Sequence, residues 1–336
     1  MVVLVTLGTP PGGREAGMKT LALGDTGRSV SALCLGTMEF GVKVEPRQSE
    51  ALLDHYVEAG GRFLDTANNY GHWVNGGGRE SETVLGRWMR ARNNRNSLFL
   101  ATKVGANPPA RGWSLKPQLI REELEESLRL LGTDHVDLYY AHIDVREDSL
   151  EDTLAVFDQL HREGKFGALG CSNYRAWRIE RARQLSSSRG YPVYCCAQLR
   201  HSYLRPLPGA SFRPQVYIDE ETKDYARANE DFLLLGYSVA LSGAYSARPD
   251  RPVPLQYLGP DTDDRLRVLA EVARETGGSP LQVVLAWMLA STPVVLPLIA
   301  VSSVKQLDEN LGSLDVVLTS GQLERLDRAG TPLPSA

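Results

Sequence analysis

The chain has 336 residues, of which 42% are hydrophobic, 23% charged and 7% aromatic, and its 37 basic and 41 acidic residues give a formal charge of −4. These values are typical of a folded globular protein and exclude disordered, coiled-coil and collagen-like chains. The slightly acidic balance without a basic block argues against a nucleic-acid partner, and no apolar run approaches the ~20 residues that span a bilayer, so no membrane partner is predicted.

Residues 1–17 precede the first well-patterned stretch, which begins at Met18, and we predict that they form a disordered leader, with a true start at Met18 as the alternative. They lack the basic start and the longer apolar segment of a signal peptide. The four cysteines all lie inside apolar runs and none has C-x-x-C spacing. They predict buried, reduced thiols, no metal site and a cytoplasmic location.

Short apolar runs alternate along the chain with longer amphipathic segments. The runs predict eight strands, at residues 33–35, 62–65, 98–103, 136–142, 166–172, 194–198, 232–237 and 294–300. Apolar residues at helical spacing predict helices between them, among them 48–59, 80–91 and 116–130, the last with its acidic residues 122–126 facing outward. Ser149 and Asp152 predict an N-cap before a helix over 154–160, and Gly164 predicts its end.

The apolar strands are continuous rather than alternating, which indicates a parallel sheet buried on both faces. No G-x-G-x-x-G turn follows the first strand, so a closed barrel is favoured over an open dinucleotide-binding sheet. We therefore predict an α/β protein whose residues 18–336 form a single domain, a (β/α)8 TIM barrel. Such a barrel needs about 250 residues. Much of the surplus falls in long mouth loops after strands six and seven, at 200–217 and 242–261, and loops of this length favour a functional role.

Polar side chains stand at the C-terminal ends of these strands, where barrel enzymes carry their chemistry. Asp65 closes strand two with Tyr70 five residues further on, Lys103 closes strand three, and His142 closes strand four. A lysine that ends an apolar strand needs a partner, and Asp65 supplies one if strands two and three are neighbours. Further polar or aromatic residues end strands five to seven, namely Ser172, Asn173, Gln198, Tyr237 and Ser238.

These residues lie in motifs that resemble the aldo-keto reductase superfamily over nearly the whole chain, from Met18 to Ala329. The matching motifs are LGTM at 35–38, FLDTANNYG at 63–71, ESE at 80–82, ATK at 101–103, LLGTDHVDL at 130–138, GCSN at 170–173 and SSVKQLDENL at 302–311. The resemblance implies a (β/α)8 barrel that binds NADPH, with NADH as the alternative, at its mouth. It also implies the reduction of a small aldehyde or ketone to an alcohol.

The resemblance further implies a role for each residue. Tyr70 corresponds to the general acid, Lys103 and Asp65 to the pair that lowers its pKa, and His142 to the residue that orients the substrate. The implied cofactor contacts are Ser172, Asn173 and Gln198 on the nicotinamide carboxamide, Tyr237 against the ring, Ser238 towards the pyrophosphate, and Ser302, Ser303, Gln306, Glu309 and Asn310 at the adenosine end.

Elementary chemistry supports the four catalytic assignments. Hydride addition to a carbonyl builds an alkoxide that must be stabilised and protonated. A free phenol has a pKa near 10 and is a poor acid at neutral pH. A nearby ammonium such as that of Lys103 lowers this pKa, and Asp65 keeps the lysine charged. His142 can donate a hydrogen bond to the carbonyl oxygen.

The substrate and the adenosine end are less defined by the sequence. Trp73 and Trp113 follow strands two and three and indicate a semi-apolar or sugar-like carbonyl compound. Residues 295–301 are apolar where many members of the superfamily carry basic residues, which weakens selection for the 2′-phosphate of NADPH. Two alternatives stay open, a cofactor-sensing regulatory module similar to potassium-channel β subunits and a Schiff-base aldolase with Lys103 as nucleophile. The oligomeric state is left open.

Overall fold

The computed structural model describes residues 18–75, 78–107 and 110–331, and the predicted leader lies outside them. A short antiparallel hairpin of β1 (Thr20–Ala22) and β2 (Ser29–Ser31) comes first. Eight parallel strands follow: β3 (Cys34–Gly36), β4 (Phe63–Asp65), β5 (Phe99–Val104), β6 (Val136–Ala141), β7 (Phe166–Ser172), β8 (Tyr194–Arg200), β9 (Leu233–Tyr237) and β10 (Val295–Ile299). They pair in chain order, and β10 also pairs with β3, which closes the barrel.

Helices connect the strands and cover the outside of the barrel. They are α1 (Pro46–Glu58), α2 (His72–Asn75), α3 (Glu80–Arg92), α4 (Pro117–Leu131), α5 (Leu150–Arg162), α6 (Ala176–Arg189), α7 (Glu220–Ala228), α8 (Thr262–Thr276), α9 (Pro280–Ala290), α10 (Val304–Leu311) and α11 (Ser320–Arg328). Short 3-10 turns lie at Arg95–Ser97, Leu241–Ser246, Leu255–Tyr257 and Gly312–Asp315. The predicted α/β class and (β/α)8 barrel are confirmed, and each predicted strand overlaps an observed barrel strand.

The barrel interior is packed, and the hairpin closes its bottom. Phe63 and Phe99, near the N-terminal ends of their strands, meet edge to face with ring centroids 5.1 Å apart. Leu23 and Val30, which flank the hairpin turn, join the same buried cluster. A second cluster fills the space between the strands and the outer helices. Because the interior is closed below, the barrel interior opens at the C-terminal ends of the strands, where barrel enzymes carry their sites.

Local sequence signals explain several element ends. The Ser149 hydroxyl accepts from the Asp152 backbone N–H and caps α5, as predicted, although this helix begins at Leu150 rather than at residue 154. Gly164 follows α5 with a φ of 73°, a left-handed conformation that glycine adopts without strain. All four cysteines are buried free thiols, as predicted.

The expected outward orientation of the acidic residues 122–126 is wrong for one of them. Glu123 is only 1% exposed, because it lies one turn from Ile120 and Ser127 on the buried face of α4. Its carboxylate is surrounded there by polar partners, which are described below. No helix in the described part of the chain combines the length and the apolar character needed to cross a membrane.

Candidate active site

Lys103 lies at the centre of a buried polar cluster at the C-terminal ends of β4 and β5. Its ammonium donates to Asp65 Oδ2 at 2.5 Å, to the Thr66 carbonyl oxygen at 2.7 Å and to the Tyr70 hydroxyl at 2.9 Å. The side chains of Lys103 and Asp65 are 0% and 1% exposed. Strands β4 and β5 are paired neighbours, so the predicted pairing of Asp65 with Lys103 is confirmed.

The ion pair holds Lys103 in its charged form. Burial alone disfavours the ammonium, but the attraction of Asp65 and Tyr70 outweighs it and leaves the pKa of Lys103 above its ordinary value. Burial likewise raises the pKa of Asp65, against the opposing effects of Lys103 and of a hydrogen bond from Gln198. A charged lysine with three acceptors for its three protons is fixed in orientation.

Tyr70 is half-buried at the start of the loop that follows β4. Burial raises its pKa above the ordinary value, and the Lys103 ammonium opposes this rise without overcoming it, because Asp65 adds to the rise. The expectation that the Lys103–Asp65 pair lowers the pKa of Tyr70 is therefore wrong: Lys103 lowers this pKa, but burial and Asp65 raise it by more. Tyr70 keeps its proton at neutral pH.

His142 directly follows β6 and lies beside Tyr70. Its backbone N–H donates to the Val104 carbonyl at 2.7 Å, and its ring meets the Tyr70 ring at 5.9 Å and 77°. Within the described residues, its buried Nδ1 has no hydrogen-bond partner. Burial and the positive charge of Lys103 hold the pKa of His142 well below its ordinary value, so the imidazole is neutral at neutral pH.

The residues predicted to hold the carboxamide lie next to this cluster, on β7 and β8. Gln198 Nε2 donates to Asp65 Oδ1 at 2.7 Å, and the Ser172 hydroxyl donates to the Gln198 carbonyl at 2.7 Å. Asn173 Nδ2 donates to the His142 carbonyl at 3.0 Å, and Asn173 Oδ1 accepts from the Tyr237 hydroxyl at 2.8 Å. Asn173 Nδ2 also donates to the Ser172 hydroxyl at 3.0 Å, so one chain of hydrogen bonds joins the end of β9 to the end of β4.

Several mouth residues adopt left-handed backbone conformations that cost energy in residues other than glycine. Asn173 has a φ of 61°, and the loop after β9 contains Ser238, Leu241 and Ser242 with φ values of 60°, 44° and 56°. Such conformations cost of order 1–3 kcal/mol each and cluster at functional sites. The strain is concentrated at the ends of β7 and β9, beside Tyr237.

The residues predicted for the adenosine end surround α10, which follows β10 at the mouth. The Ser303 hydroxyl caps this helix by accepting from the Gln306 backbone N–H, and Gln306 Oε1 accepts from the Ser302 backbone at 2.7 Å. Glu309 accepts from the Ser279 hydroxyl at 2.6 Å, and Asn310 is buried. Ser302 and Gln306 are exposed.

Exposed apolar side chains border the mouth. Trp73 is 42% exposed, Trp113 56% and Met38 42%, and they follow β4, β5 and β3 respectively. The two predicted substrate residues therefore lie on loops at the same end of the barrel as Tyr70. Met38 belongs to the same rim, and its place two residues after the first barrel strand was the signal for it in the sequence.

A buried polar network behind the mouth was missed by the sequence reasoning. Glu123 Oε2 accepts from Asn68 Nδ2 at 2.7 Å and from Arg79 Nη2 at 2.5 Å, while Arg111 Nη1 lies 3.2 Å from Glu123 Oε1. Arg79 and Arg111 flank the loops that carry Trp73 and Trp113. The signal available in the sequence was a glutamate, Glu123, on the apolar face of the predicted helix over 116–130.

Comparison with known proteins agrees with this geometry. The model of the family described as the aldo/keto reductase family matches residues 32–331. Norsolorinic acid reductase stcV of Emericella nidulans is 30% identical over 321 residues, which cover 90% of this chain and 78% of that protein. Aldo-keto reductase yakc of Schizosaccharomyces pombe, whose name includes NADP(+), is 28% identical over 319 residues, 91% of this chain and 89% of that one. The crystal structure of the thermostable aldo-keto reductase Tm1743 with the inhibitor epalrestat superimposes with a TM-score of 0.72 at 26% identity, covering 93% of this chain and all of the other, 100%.

Proposed function

The chain belongs to the aldo/keto reductase family, and on that premise we propose that it is an NADPH-dependent carbonyl reductase that converts a small aldehyde or ketone to an alcohol. It is an oxidoreductase of the aldo-keto reductase type, and this family uses nicotinamide cofactors. The observation that carries the proposal is the hydrogen bond of 2.9 Å from the Lys103 ammonium to the Tyr70 hydroxyl at the barrel mouth.

The residues at the mouth fit a nicotinamide cofactor. Ser172, Asn173 and Gln198 offer hydroxyl and amide groups at adjacent strand ends, which suits a flat carboxamide, and Tyr237 offers an aromatic ring beside them. Left-handed residues such as Ser238, Leu241 and Ser242 after β9 are a feature of backbone nests that bind anions, which supports a pyrophosphate at this loop. When bound, the cofactor supplies the hydride.

Tyr70 is proposed to donate the proton to the carbonyl oxygen. Its raised pKa keeps the proton in place before reaction. As negative charge develops on the substrate oxygen, the proton moves from the Tyr70 hydroxyl to that oxygen, and the phenolate left behind lies next to the Lys103 ammonium. General acids of this kind contribute typically 10²–10⁴-fold in rate.

His142 is proposed to orient the substrate. A neutral imidazole carries one N–H and one acceptor nitrogen, so it can donate to a carbonyl oxygen without taking the proton that Tyr70 supplies. Its ring lies beside that of Tyr70, at 5.9 Å between centroids, which places a second donor next to the acid.

The Schiff-base alternative is disfavoured by the state of Lys103. An amine must lose its proton to attack a carbonyl carbon. Here the amine is fully buried, is paired with Asp65 and has a raised pKa. The Lys103 ammonium therefore acts on Tyr70 through its charge and its hydrogen bond, not as a nucleophile.

NADPH is proposed over NADH. Ser302 and Ser303 lie at the N-terminus of α10, where backbone N–H groups and the helix dipole favour an anion. Lys305 is exposed within the first turn and adds a positive charge there. The S. pombe relative named with NADP(+) supports the same choice.

The substrate is proposed to be a semi-apolar small molecule. The rim formed by Met38, Trp73 and Trp113 supports this, since exposed apolar side chains around a polar site favour a ligand with an apolar body.

Mixing the protein with NADPH and a panel of aldehydes and ketones tests the proposed reaction. We expect the nicotinamide absorbance to fall with at least one carbonyl compound. Tyr70→Phe should abolish this turnover while NADPH still binds, and Tyr191→Phe, which changes a tyrosine before β8 at the opposite end of the barrel, should retain the rate. A Tyr70→Phe protein with near-full rate would show that Tyr70 is not the acid.

A further inference from the structure

A groove of about 710 Å³ runs along the outside of the barrel. One wall is α7, which contributes Glu220, Lys223 and Arg227 at spacings that place them on one helix face. The other wall includes Trp287 of α9, and the floor includes His201, the residue directly after β8. The groove runs from the loop after β8, at the mouth end of the barrel, towards the start of β10.

His201 is a buried polar side chain that faces this groove. The residue is 7% exposed, and its ring stacks on Trp287 with centroids 5.6 Å and planes 18° apart. Its backbone N–H donates to the Tyr237 carbonyl at 2.9 Å, which fixes the residue at the end of β8. Within the described residues, the imidazole nitrogens form no hydrogen bond. These nitrogens are not sealed from solvent, so a polar ligand in the groove can reach them.

Arg265 adds a buried positive charge to the groove. It is 2% exposed, and its guanidinium donates to the Tyr203 and Ala329 carbonyls, each at 2.9 Å, and lies 4.1 Å from the centroid of the Tyr203 ring. No carboxylate of the described residues comes within ion-pair distance of it. Its charge is offset by the two carbonyls, by the Tyr203 ring and by the more distant Asp261, and a guanidinium without a direct carboxylate partner can still pair with an anion.

The charged side chains around the groove also favour an anionic ligand. Burial, together with the positive charges of Lys223 and Arg265, lowers the pKa of His201 to about 3. Five cationic and three acidic side chains line the groove, although the whole chain has a formal charge of −4. The groove is therefore a local region of excess positive charge.

We propose that this groove binds a small anion of the carboxylate or phosphate class, held by Lys223 and Arg265 with a hydrogen bond from the neutral ring of His201. A planar guanidinium matches the geometry of both anion types, and a lysine ammonium on the wall supplies a movable second charge. Lys223 pairs with Glu220 at 2.9 Å, so the ligand competes with that carboxylate for the ammonium.

Trp287 provides a local reporter, because its ring stacks on His201. The full chain is titrated with sodium phosphate and, separately, with sodium succinate at constant ionic strength, while tryptophan fluorescence is followed. We expect a saturable change with a Kd of about 1 mM that is lost in Trp287→Phe. A saturable response to either probe supports the site, and the probe that binds identifies phosphate or carboxylate as the class.

Matched variants assign the response to the groove. Lys223→Gln removes one charge-assisted hydrogen bond and should weaken the affinity roughly tenfold, whereas Lys223→Arg should retain it. Arg227→Gln, on the same helix face, should weaken it less, by about threefold. Lys165→Gln, which removes a lysine that pairs with Glu125 elsewhere, should have no effect. Unfolding curves check that each variant is folded.

Three results would overturn the proposal: a response that does not saturate, a response that persists in Trp287→Phe, or an affinity that Lys223→Gln leaves unchanged. The titration is repeated with one equivalent of NADP+. Because none of the residues that line the groove is among those proposed to hold the cofactor, the affinity should not change, and a loss of the response would place the anion in the cofactor site instead.

Discussion

Replacing Lys103 by methionine tests whether the lysine acts through Tyr70. The substitution keeps an unbranched side chain and removes the ammonium that donates to the Tyr70 hydroxyl at 2.9 Å. We expect hydride transfer in a single turnover to slow, because the Tyr70 phenolate formed by proton donation loses its adjacent positive charge.

The size of the effect follows from the bond that is lost. A hydrogen bond to a charged group contributes about 1.5–3 kcal/mol net, and each 1.4 kcal/mol corresponds to about tenfold in rate. Asp65, whose carboxylate lies 2.5 Å from the same ammonium, offsets part of the positive charge and favours the lower half of this range. Lys103→Met should therefore slow the step by roughly 10- to 50-fold, less than the ~10²–10⁴-fold expected for removing the acid itself in Tyr70→Phe.

The assay is a rapid-mixing measurement of the nicotinamide absorbance with enzyme in excess over substrate, since slow product release could hide the step in steady state. Lys103→Met leaves the Asp65 carboxylate buried without its cation, which costs about 3–5 kcal/mol of unfolding free energy. The double variant Asp65→Asn/Lys103→Met removes that charge and should recover part of the stability. Lys165→Met, which changes a surface lysine paired with Glu125, serves as the control and should retain the wild-type rate.

The double variant Tyr70→Phe/Lys103→Met shows whether Lys103 acts through the Tyr70 hydroxyl. If Lys103 acts through the Tyr70 hydroxyl, the double variant is no slower than Tyr70→Phe alone, because the partner of Lys103 is already missing. If Lys103→Met slows the Tyr70→Phe protein by the same factor as it slows the unaltered protein, Lys103 acts independently of Tyr70 and the reasoning is refuted.

Three further changes test other parts of the molecule. Glu123→Gln should lower the unfolding free energy by about 1–3 kcal/mol in urea denaturation. It should also raise KM more than it lowers kcat, since Glu123 binds Arg79 and Arg111, which flank the loops of the rim. Glu125→Gln is the control, and an unchanged KM would contradict this role. In the unaltered protein, the free energy of unfolding falls as pH falls, because the unfolded chain takes up a proton below pH 6.5 that buried His201, with a pKa of about 3, does not. In His201→Phe, the pH dependence of the unfolding free energy measured in urea should therefore be smaller by about 1.4 kcal/mol per pH unit between roughly pH 6 and pH 4. An unchanged pH dependence would argue against burial of the neutral ring. Lys305→Gln should weaken NADPH binding in fluorescence titrations by about threefold to tenfold and leave NADH binding unaltered, and equal weakening of both would remove Lys305 from the 2′-phosphate site.

The barrel could be predicted from the sequence because each of its strands is buried on both faces. Runs such as residues 136–141 are apolar at almost every position, and the amphipathic segments between them have helical spacing. The hairpin of β1 and β2 could not be found in this way, since each strand has three residues and shows no pattern longer than chance. Glu123 was misplaced because a charged residue was taken to mark the solvent face, whereas its charge is balanced by Arg79 and Arg111.

The site was predicted at the level of which residues meet, but not of how they bond. Parallel strands bring their C-terminal ends together, so Asp65, Lys103 and His142 could be placed at one mouth from their positions alone. The bond from Gln198 to Asp65 depends on a side-chain orientation that the sequence does not encode locally. The direction of the pKa shift of Tyr70 depends on whether burial or the Lys103 charge is larger, and that balance requires the depth of the site.

The Lys103–Asp65 pair is better explained by chemistry than by stability. Buried ion pairs are often no more stabilising than apolar residues of the same volume, so the barrel gains little from this pair as a structural element. All three ammonium protons have an acceptor, in Asp65, Thr66 and Tyr70, and the lysine therefore cannot turn away. Because the Tyr70 oxygen accepts from Lys103, its own proton is directed away from the lysine, so the same contact that stabilises the phenolate also leaves the hydroxyl proton available to a substrate in the mouth.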